Sequence, residues 1–528
     1  VDQFQNARDT IASRSADVPL SFAAVLPSDL QDFDFLFSDL QNDPANLLPE
    51  SRQTRDNLVN LGREMLDAED TASGDGDSDL PAAYTYFGQF VDHDITLETL
   101  SAPLPKLIDP ELKPLPLDEI RETIRNVRTA TLDLDSVYGL PAPRDGSKMV
   151  IGNVTKLNAT AKPFLRPVKK DDGNDLPREP RSNDIEHDRA ALIGDPRNDE
   201  NLIISQLHLA FLQAHNQLIK LGKPFDEARK LLRQHYQHIV IHDFLKRIAD
   251  PKIVDNILEH GHKFYDGLAE PFFIPLEFTV AAYRFGHTLI RANYDFNLNF
   301  NRSGEQGTLP ASLGLLFTFT AFSGQLGDRN NQLNDTLPEN WIIEWENFVD
   351  VGKPFNKARR FDPKLVEPLF RLPNIEGRPE PGDGARLAVR NLLRGYLLRM
   401  PTGQAVARAL GEEHLSAAEI EKAAASDKQA QVLRDAGFLT RTPLWYYILA
   451  EAAVRANGQH LGPVGSTIVA EVLIGLVRRS EDSILRTKGW KPSLPSSTPG
   501  TYLLSDLLKL AGVFQGRKVG PGSGPKPV

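Results

Sequence analysis

A chain of 528 residues, 41% hydrophobic and 25% charged, can bury a large core, and length alone suggests three or four ordinary domains. Its formal charge of −11 argues against functions that need a positive field, namely nucleic-acid and anionic-membrane binding. Cysteine is absent, which excludes disulfides, thiolate metal sites and cysteine nucleophiles and leaves the compartment open between secreted and cytoplasmic.

Residues 1–80 mix short apolar runs, such as Phe35-Leu36-Phe37, with polar loops and read as an N-terminal extension packing on the core. Within them the acidic, glycine-rich Asp70 to Asp79 reads as a solvated linker, because the glutamate that closes a calcium loop is missing at the required distance. The first functional helix is expected from Tyr84 to Ile95. It carries Gln89, Asp92, His93 and Asp94; Gln89 and His93 are i and i+4 on one face, while Asp94 points roughly 100° away from His93. A proline-rich passage, Pro103 to Pro116, cannot be helical throughout. Next, Thr129, Thr131, Asp133 and Asp135 alternate oxygen donors along one side of an extended segment, readable either as a turn with solvated aspartates or as a hard-cation loop.

Gly194-Asp-Pro-Arg-Asn-Asp-Glu200 opens a helix running from Asn201 to Leu221. Pro196 suits a helix start, and Arg197 and Glu200 share a face at i, i+3. His208 and His215 on that helix read as satisfied core histidines. His235, His238 and His242 share a helical face and imitate a metal site, but no carboxylate stands where a catalytic zinc motif would put one, so a core and surface helix is the preferred reading. A helix reached from Phe272 to Ile290 contains His287, with Arg284 three residues before it. Asn391 and Arg394 sit i, i+3 in the next polar-apolar helix. Further helices are expected over Ala417 to Gly437, Pro443 to Ala456 and Val464 to Arg479, before a Gly/Pro/Lys-rich tail at 516–528. The apolar run Thr467 to Val477 carries Glu471 and falls short of the roughly 20 residues that span a bilayer.

Singly these motifs are weak, but together and in this order they resemble the peroxidase-cyclooxygenase superfamily, the animal-type haem peroxidases, and most closely its bacterial branch. The matching stretches are Pro81 to Asp94, Asp133 to Gly139, Gly194 to Asn201, His208 to Asn216, Tyr283 to Ile290 and Leu387 to Arg394. The resemblance implies a mainly α fold with little β, one large helical domain at residues 81–515 built around a buried haem. It implies a peroxidase that reduces hydrogen peroxide and oxidises a small donor such as bromide, iodide, thiocyanate or a phenol.

By the same resemblance, His93 is the distal base, Arg197 the distal arginine and Gln89 the glutamine that orients water or halide. His287 is the proximal iron ligand with Asn391 as its partner, Arg284 lies beside the haem, and Arg394 faces a propionate. Asp92 and Glu200 match the carboxylates that become esters of a haem b derivative. Asp94, Thr129, Thr131, Asp133 and Asp135 match a calcium loop. Asn201 stands where the most strongly oxidising members carry a methionine, which puts chloride oxidation in doubt. A fatty-acid dioxygenase of the same superfamily is the rival, and it needs a tyrosine three residues before the proximal histidine. That position is Arg284; Tyr283 is one residue out of register and is expected to turn from the haem. A non-catalytic haem-binding or structural protein is the reading from another class. The oligomeric state is left open.

Overall fold

The computed structural model describes residues 30–67, 76–155, 173–180, 182, 189–303, 308–321, 336–372 and 382–514. Residues 68–75, which hold most of the expected linker, and the tail from 515 onward lie outside the described residues, as do residues 1–29 of the N-terminal extension. The fold is mainly α with short strands at its margins. Helices that position the site are α1 (Arg52–Arg63), α2 (Ala83–Ile95), α3 (Leu202–Lys220), α4 (Phe225–Ile239), α5 (Leu387–Leu397), α6 (Leu444–Arg455) and α7 (Pro463–Arg479).

Helix α2 is apolar almost all round, the pattern of a helix with no solvent face. Only Gln89 and Asp92 on it are half-buried; every other residue is buried. Phe90 stacks on Phe211 of α3 with ring centroids 4.5 Å apart, and Phe87 meets Phe244 edge-on at 5.4 Å. These contacts fix the rotation of α2 about its axis, and with it the direction of every polar group it carries.

The described part of the N-terminal stretch is woven into the core. Strand β1 (Gln31–Asp34) sits between an antiparallel neighbour at Ile124–Asn126 and a parallel one at Phe273–Pro275. Asp77, at the end of the expected acidic linker, belongs to a strand (Asp77–Pro81) paired with Lys357–Arg359, where Arg291 and Arg359 hold its carboxylate. The buried Asn126 stitches the C-terminal end of α2 to this sheet: its Oδ1 accepts from Leu97 N at 2.7 Å, and its Nδ2 donates to Ile95 O at 3.0 Å. Helix α1 packs on α5, whereas α6 touches α5 and α7.

Two expected helices take a different form. Ala417 to Gly437 divides into Ala417–Lys422 and Asp427–Asp435, because Ser426 caps a new helix by accepting from Gln429 N at 3.2 Å. The approach to His287 is a strand (Phe273–Pro275), a π-helical turn (Glu277–Ala281) and a 3₁₀ segment (Ala282–Leu289) rather than an α-helix. Among the described residues no helix is long and apolar enough to cross a membrane.

Candidate active site

A cavity of about 1240 Å³ lies between α2, the turn before α3, the 3₁₀ segment and α5. Helix α2 presents Gln89, Asp92 and His93 to it, the i, i+3, i+4 face that its packing leaves unfilled. From the turn come Arg197 and Glu200, and from the 3₁₀ segment Arg284, Gly286 and His287. Two imidazoles from distant parts of the chain thus share one chamber.

The turn is built from residues 194–200. Asp195 caps it by accepting from Arg197 N at 2.9 Å, and Pro196 supplies the first 3₁₀ position. In a 3₁₀ turn residues i and i+3 eclipse, so Arg197 and Glu200 both face the cavity. Asp199 points the other way and shares the buried Arg178 with Asp175 through bonds of 2.7–3.0 Å. Gly194 is required by crowding, since a Cβ there would stand 2.5 Å from Asp135 O. The turn is therefore pinned on both sides and holds Arg197 with little freedom.

Arg197 is tied down by Asp195, which accepts from Nε at 3.1 Å and from Nη2 at 2.7 Å, while Nη2 also donates to the carbonyls of His93 and Thr96. Arg197 and Arg128 hold the Asp195 carboxyl far below the usual carboxylate range against the opposing effect of burial. His93 is 5% exposed, and burial, reinforced by the Arg197 charge, pushes its pKa down to about 3. Its imidazole is thus neutral at physiological pH. Nδ1 lies 2.8 Å from Asn198 Oδ1, so Nδ1 carries the proton and Nε2 keeps a lone pair. Nothing in the sequence motif pointed to Asn198; a lone asparagine in a turn has no spacing signature. Gln89 donates to Glu200 Oε1 and accepts from Asn201 Nδ2 at 3.3 Å. Asn201 also caps α3 by accepting from Ile204 N at 3.1 Å.

Desolvation pushes the Glu200 carboxyl up to about 7 and raises that of Asp92, with Arg197 opposing in both cases. Both acids hold protons more readily than solvated carboxyls do. On the opposing element, Asn391 Nδ2 is 2.9 Å from His287 Nδ1, and its Oδ1 accepts from Arg284 Nη1 at 3.1 Å. One amide therefore orients both side chains. Burial, then the Arg284 charge, lowers His287 to about 3, leaving the ring neutral. With Asn391 Nδ2 donating, the lone pair is at Nδ1 and the hydrogen at Nε2, so offering Nε2 to a metal requires the amide turned to put Oδ1 on Nδ1.

Two expectations are corrected. Arg394 does not reach the cavity; it forms a forked pair with Glu98 at 2.6 Å to each oxygen, and Arg390, one turn earlier, lines the chamber instead. Tyr283 does not turn away. It lines the cavity and its hydroxyl donates to Gly88 O at 3.2 Å, because the 100° step of an α-helix does not apply in a 3₁₀ segment preceded by a π-turn.

Asp94 leaves α2 on the far face and accepts from Leu134 N and Ser136 N at 3.1 and 3.2 Å. Thr129 Oγ1 donates to Asp135 Oδ2 at 2.6 Å and is 3.0 Å from Thr131 Oγ1, which in turn bonds Asp133. The expected loop thus gathers hydroxyls and carboxylates and closes on its own hydrogen bonds. Among the described residues, no three acidic or histidine side chains converge as a metal-holding group. Burial, then Asp135, pushes the Asp94 carboxyl up to about 8. Nor do His235, His238 and His242 form one group of three: His238 and His242 lie with ring centroids 4.5 Å apart, whereas His235 donates from Nδ1 to Leu231 O at 2.7 Å and accepts at Nε2 from Ser493 N and Leu494 N. His215 bridges Tyr138 Oη and Ser147 O as a structural group.

Fold and chamber together define a mainly helical scaffold around one chamber that two distant histidines line. The family model for animal haem peroxidases matches residues 112–319 of this chain. A peroxidase-like protein of Margaritifera margaritifera is 27% identical over 48% of this chain, which covers 35% of that relative's own length. Peroxidase A from Dictyostelium discoideum shares the fold at a TM-score of 0.56 and 17% identity, covering 88% of this chain and 90% of that one. A fatty acid alpha-dioxygenase of Arabidopsis thaliana shares it at 0.52 and 12% identity, over 89% of this chain and 75% of that one. Haem is the cofactor the family implies, and the residues fit it. A neutral imidazole stands on each of two separate walls, the desolvated carboxyls of Asp92 and Glu200 line the same chamber, and beside His287 a Cβ on Gly286 would meet open space.

Proposed function

We propose that this chain is a haem-dependent peroxidase that reduces hydrogen peroxide and oxidises small donors, with bromide, iodide, thiocyanate and phenols as the donor class. The observation that carries this reading is the proton-accepting Nε2 of His93, facing the same cavity as the Arg197 charge and the His287 imidazole. Haem, when bound, supplies the iron at which peroxide is reduced. His93 Nε2 takes the proton from one peroxide oxygen and returns it to the other, so that water leaves; its neutrality keeps it ready to accept. Arg197 keeps a fixed positive charge beside the breaking O–O bond, its position set by Asp195. Gln89, held by Glu200 and Asn201, orients the incoming water or donor. His287 would hold the iron through Nε2, with Asn391 at its Nδ1 turned so that Oδ1 accepts the Nδ1 hydrogen. The test is the purified, haem-loaded protein with peroxide and a phenolic dye: turnover supports the reading, and none with any phenol or halide rejects it.

Asp92 and Glu200 are the ester-forming carboxyls in this reading. Replacing both, Asp92→Asn with Glu200→Gln, is expected to release haem into acidic organic solvent that leaves it on the wild type. Equal extraction from both proteins contradicts the esters.

The oxygen donors Asp94, Thr129, Thr131, Asp133 and Asp135 form a calcium loop that clamps the far face of α2 in this reading. Because Asp94 holds its proton up to about pH 8, calcium must displace that proton, so its affinity rises with pH and falls on acidification. Chelation is expected to lower the melting temperature at pH 8, and added calcium, but not magnesium, to restore it. A melting curve indifferent to chelator removes the site.

One observation favours a second reading, fatty-acid dioxygenation: the phenol of Tyr283 lines the cavity. Its hydroxyl is engaged by the Gly88 carbonyl, and the register position is Arg284, which supports the peroxidase. Turnover of linoleate with oxygen and no peroxide would reverse this preference.

A further inference from the structure

The side chain of Asn198 bridges two histidines. Its Oδ1 lies 2.8 Å from His93 Nδ1, and its Nδ2 lies 3.0 Å from His208 Nδ1 on α3. All three are buried: Asn198 and His208 are 0% exposed and His93 5%. An amide has one accepting and one donating end, so its orientation ties together the protonation of the two rings. With Oδ1 on His93, Nδ1 of His93 must carry the hydrogen and Nε2 is free to accept. With the amide turned over, Nδ2 would face His93, the hydrogen would move to Nε2, and the lone pair would point away from the cavity.

His208 decides between these. Its Nδ1 accepts from Asn198 only while that atom has a lone pair, which puts the hydrogen of the neutral ring on Nε2. Nε2 is buried without a hydrogen-bond partner among the described residues, and the ring stands 6.1 Å, edge to face, from Phe90. Burial lowers the His208 pKa to about 3, so the ring does not become a donor at both nitrogens in the physiological range. The backbone that carries the amide is held, since Asn198 N donates to Asp195 O at 3.0 Å and the neighbouring Asp199 is locked to Arg178, so what remains free is a turn of the amide about its own side chain.

We propose that Asn198 and His208 are positioning residues that act as a tautomer relay, holding the proton of His93 on Nδ1 so that Nε2 is always presented to peroxide. This rests on the role given to His93 above. Neither residue lines the cavity; both act through the ring of His93.

The relay is tested by stopped-flow measurement of the peroxide-dependent Soret change and by cyanide affinity, using haem-loaded protein. Cyanide reads the same lone pair without turnover, because it arrives as HCN and must leave its proton on a base. Asn198→Leu is expected to slow the peroxide step by about 10²-fold, within the range for losing a correctly presented general base. His208→Phe, which frees the amide to turn, is expected to slow it by roughly tenfold, while His208→Gln, whose own oxygen can accept from Asn198, stays within about threefold of wild type. Cyanide affinity is expected to fall in the same order, with haem content unchanged. A carboxylate has no donating end to turn over, so in an Asn198→Asp background His208→Phe should cost nothing further. The relay is overturned if Asn198→Leu and His208→Phe match wild type in both readouts while His93→Ala is slow. It is equally overturned if His208→Gln falls as far as His208→Phe, or if the His208→Phe penalty persists in the Asn198→Asp background. A wild-type rate in His93→Ala would instead reject the peroxidase mechanism itself.

Discussion

His93→Ala is expected to bind haem as wild type does yet react with peroxide about 10³-fold more slowly, the usual scale for removing a general acid-base group. The reason is local. Arg197 still carries its charge and Asp195 still holds it, so the O–O bond remains polarised. What is lost is the neutral imidazole that offers a free Nε2 from the α2 wall of the chamber, and the proton of peroxide then has no imidazole acceptor on that wall. Stopped-flow absorbance with excess peroxide measures this directly. A slope against peroxide concentration equal to that of wild type would remove His93 from the mechanism.

The second large effect is expected at the other wall. His287→Ala removes the lone pair offered to iron while leaving Asn391 and Arg284 paired to each other. Loss of a residue that merely supports a metal ligand costs about 10–100-fold in affinity, so loss of the ligand itself should weaken haem binding by more than about 100-fold. Titration of apo-protein with haem, followed by Soret absorbance, gives the affinity. Asn391→Ala should fall between the variant and wild type, because the imidazole remains but its ring is no longer oriented. Undiminished haem affinity in His287→Ala would move the ligand elsewhere.

Much of the chamber was legible because helical spacing carries direction. Gln89, Asp92 and His93 lie i, i+3, i+4 on a helix whose remaining positions are mainly apolar apart from Asp94, so the pattern separates the face toward the chamber from the faces that pack. Arg197 and Glu200 were paired by the same logic, which survives in a 3₁₀ turn because i and i+3 still coincide. It failed where backbone geometry changed without a sequence mark. The π-turn and 3₁₀ segment before His287 alter the rotation per residue, and Tyr283 therefore faces the cavity despite standing out of register.

Arg394 illustrates a different failure. Whether an arginine points into a cleft or toward an acid depends on what lies opposite, and Glu98 comes from a strand nearly three hundred residues earlier. Spacing on α5 could not distinguish it from Arg390. Asn198 and His208 were opaque for the same reason: each belongs to a local pattern that looks structural, and only the packing of α2 against α3 aligns them with His93. The break at Ser426 was missed in the single helix expected over Ala417 to Gly437, although Ser426-Asp427 is an ordinary helix-start signal within that polar stretch.

The account depends on haem lying between the His93 wall and the His287 wall. An iron-edge anomalous difference map from a crystal of the haem-loaded protein tests this most directly. The predicted result is a single peak within bonding distance of His287 Nε2, with the His93 imidazole on the other face of the ring and too distant to coordinate. A peak bound to His93, or one outside the chamber that both histidines line, would contradict it.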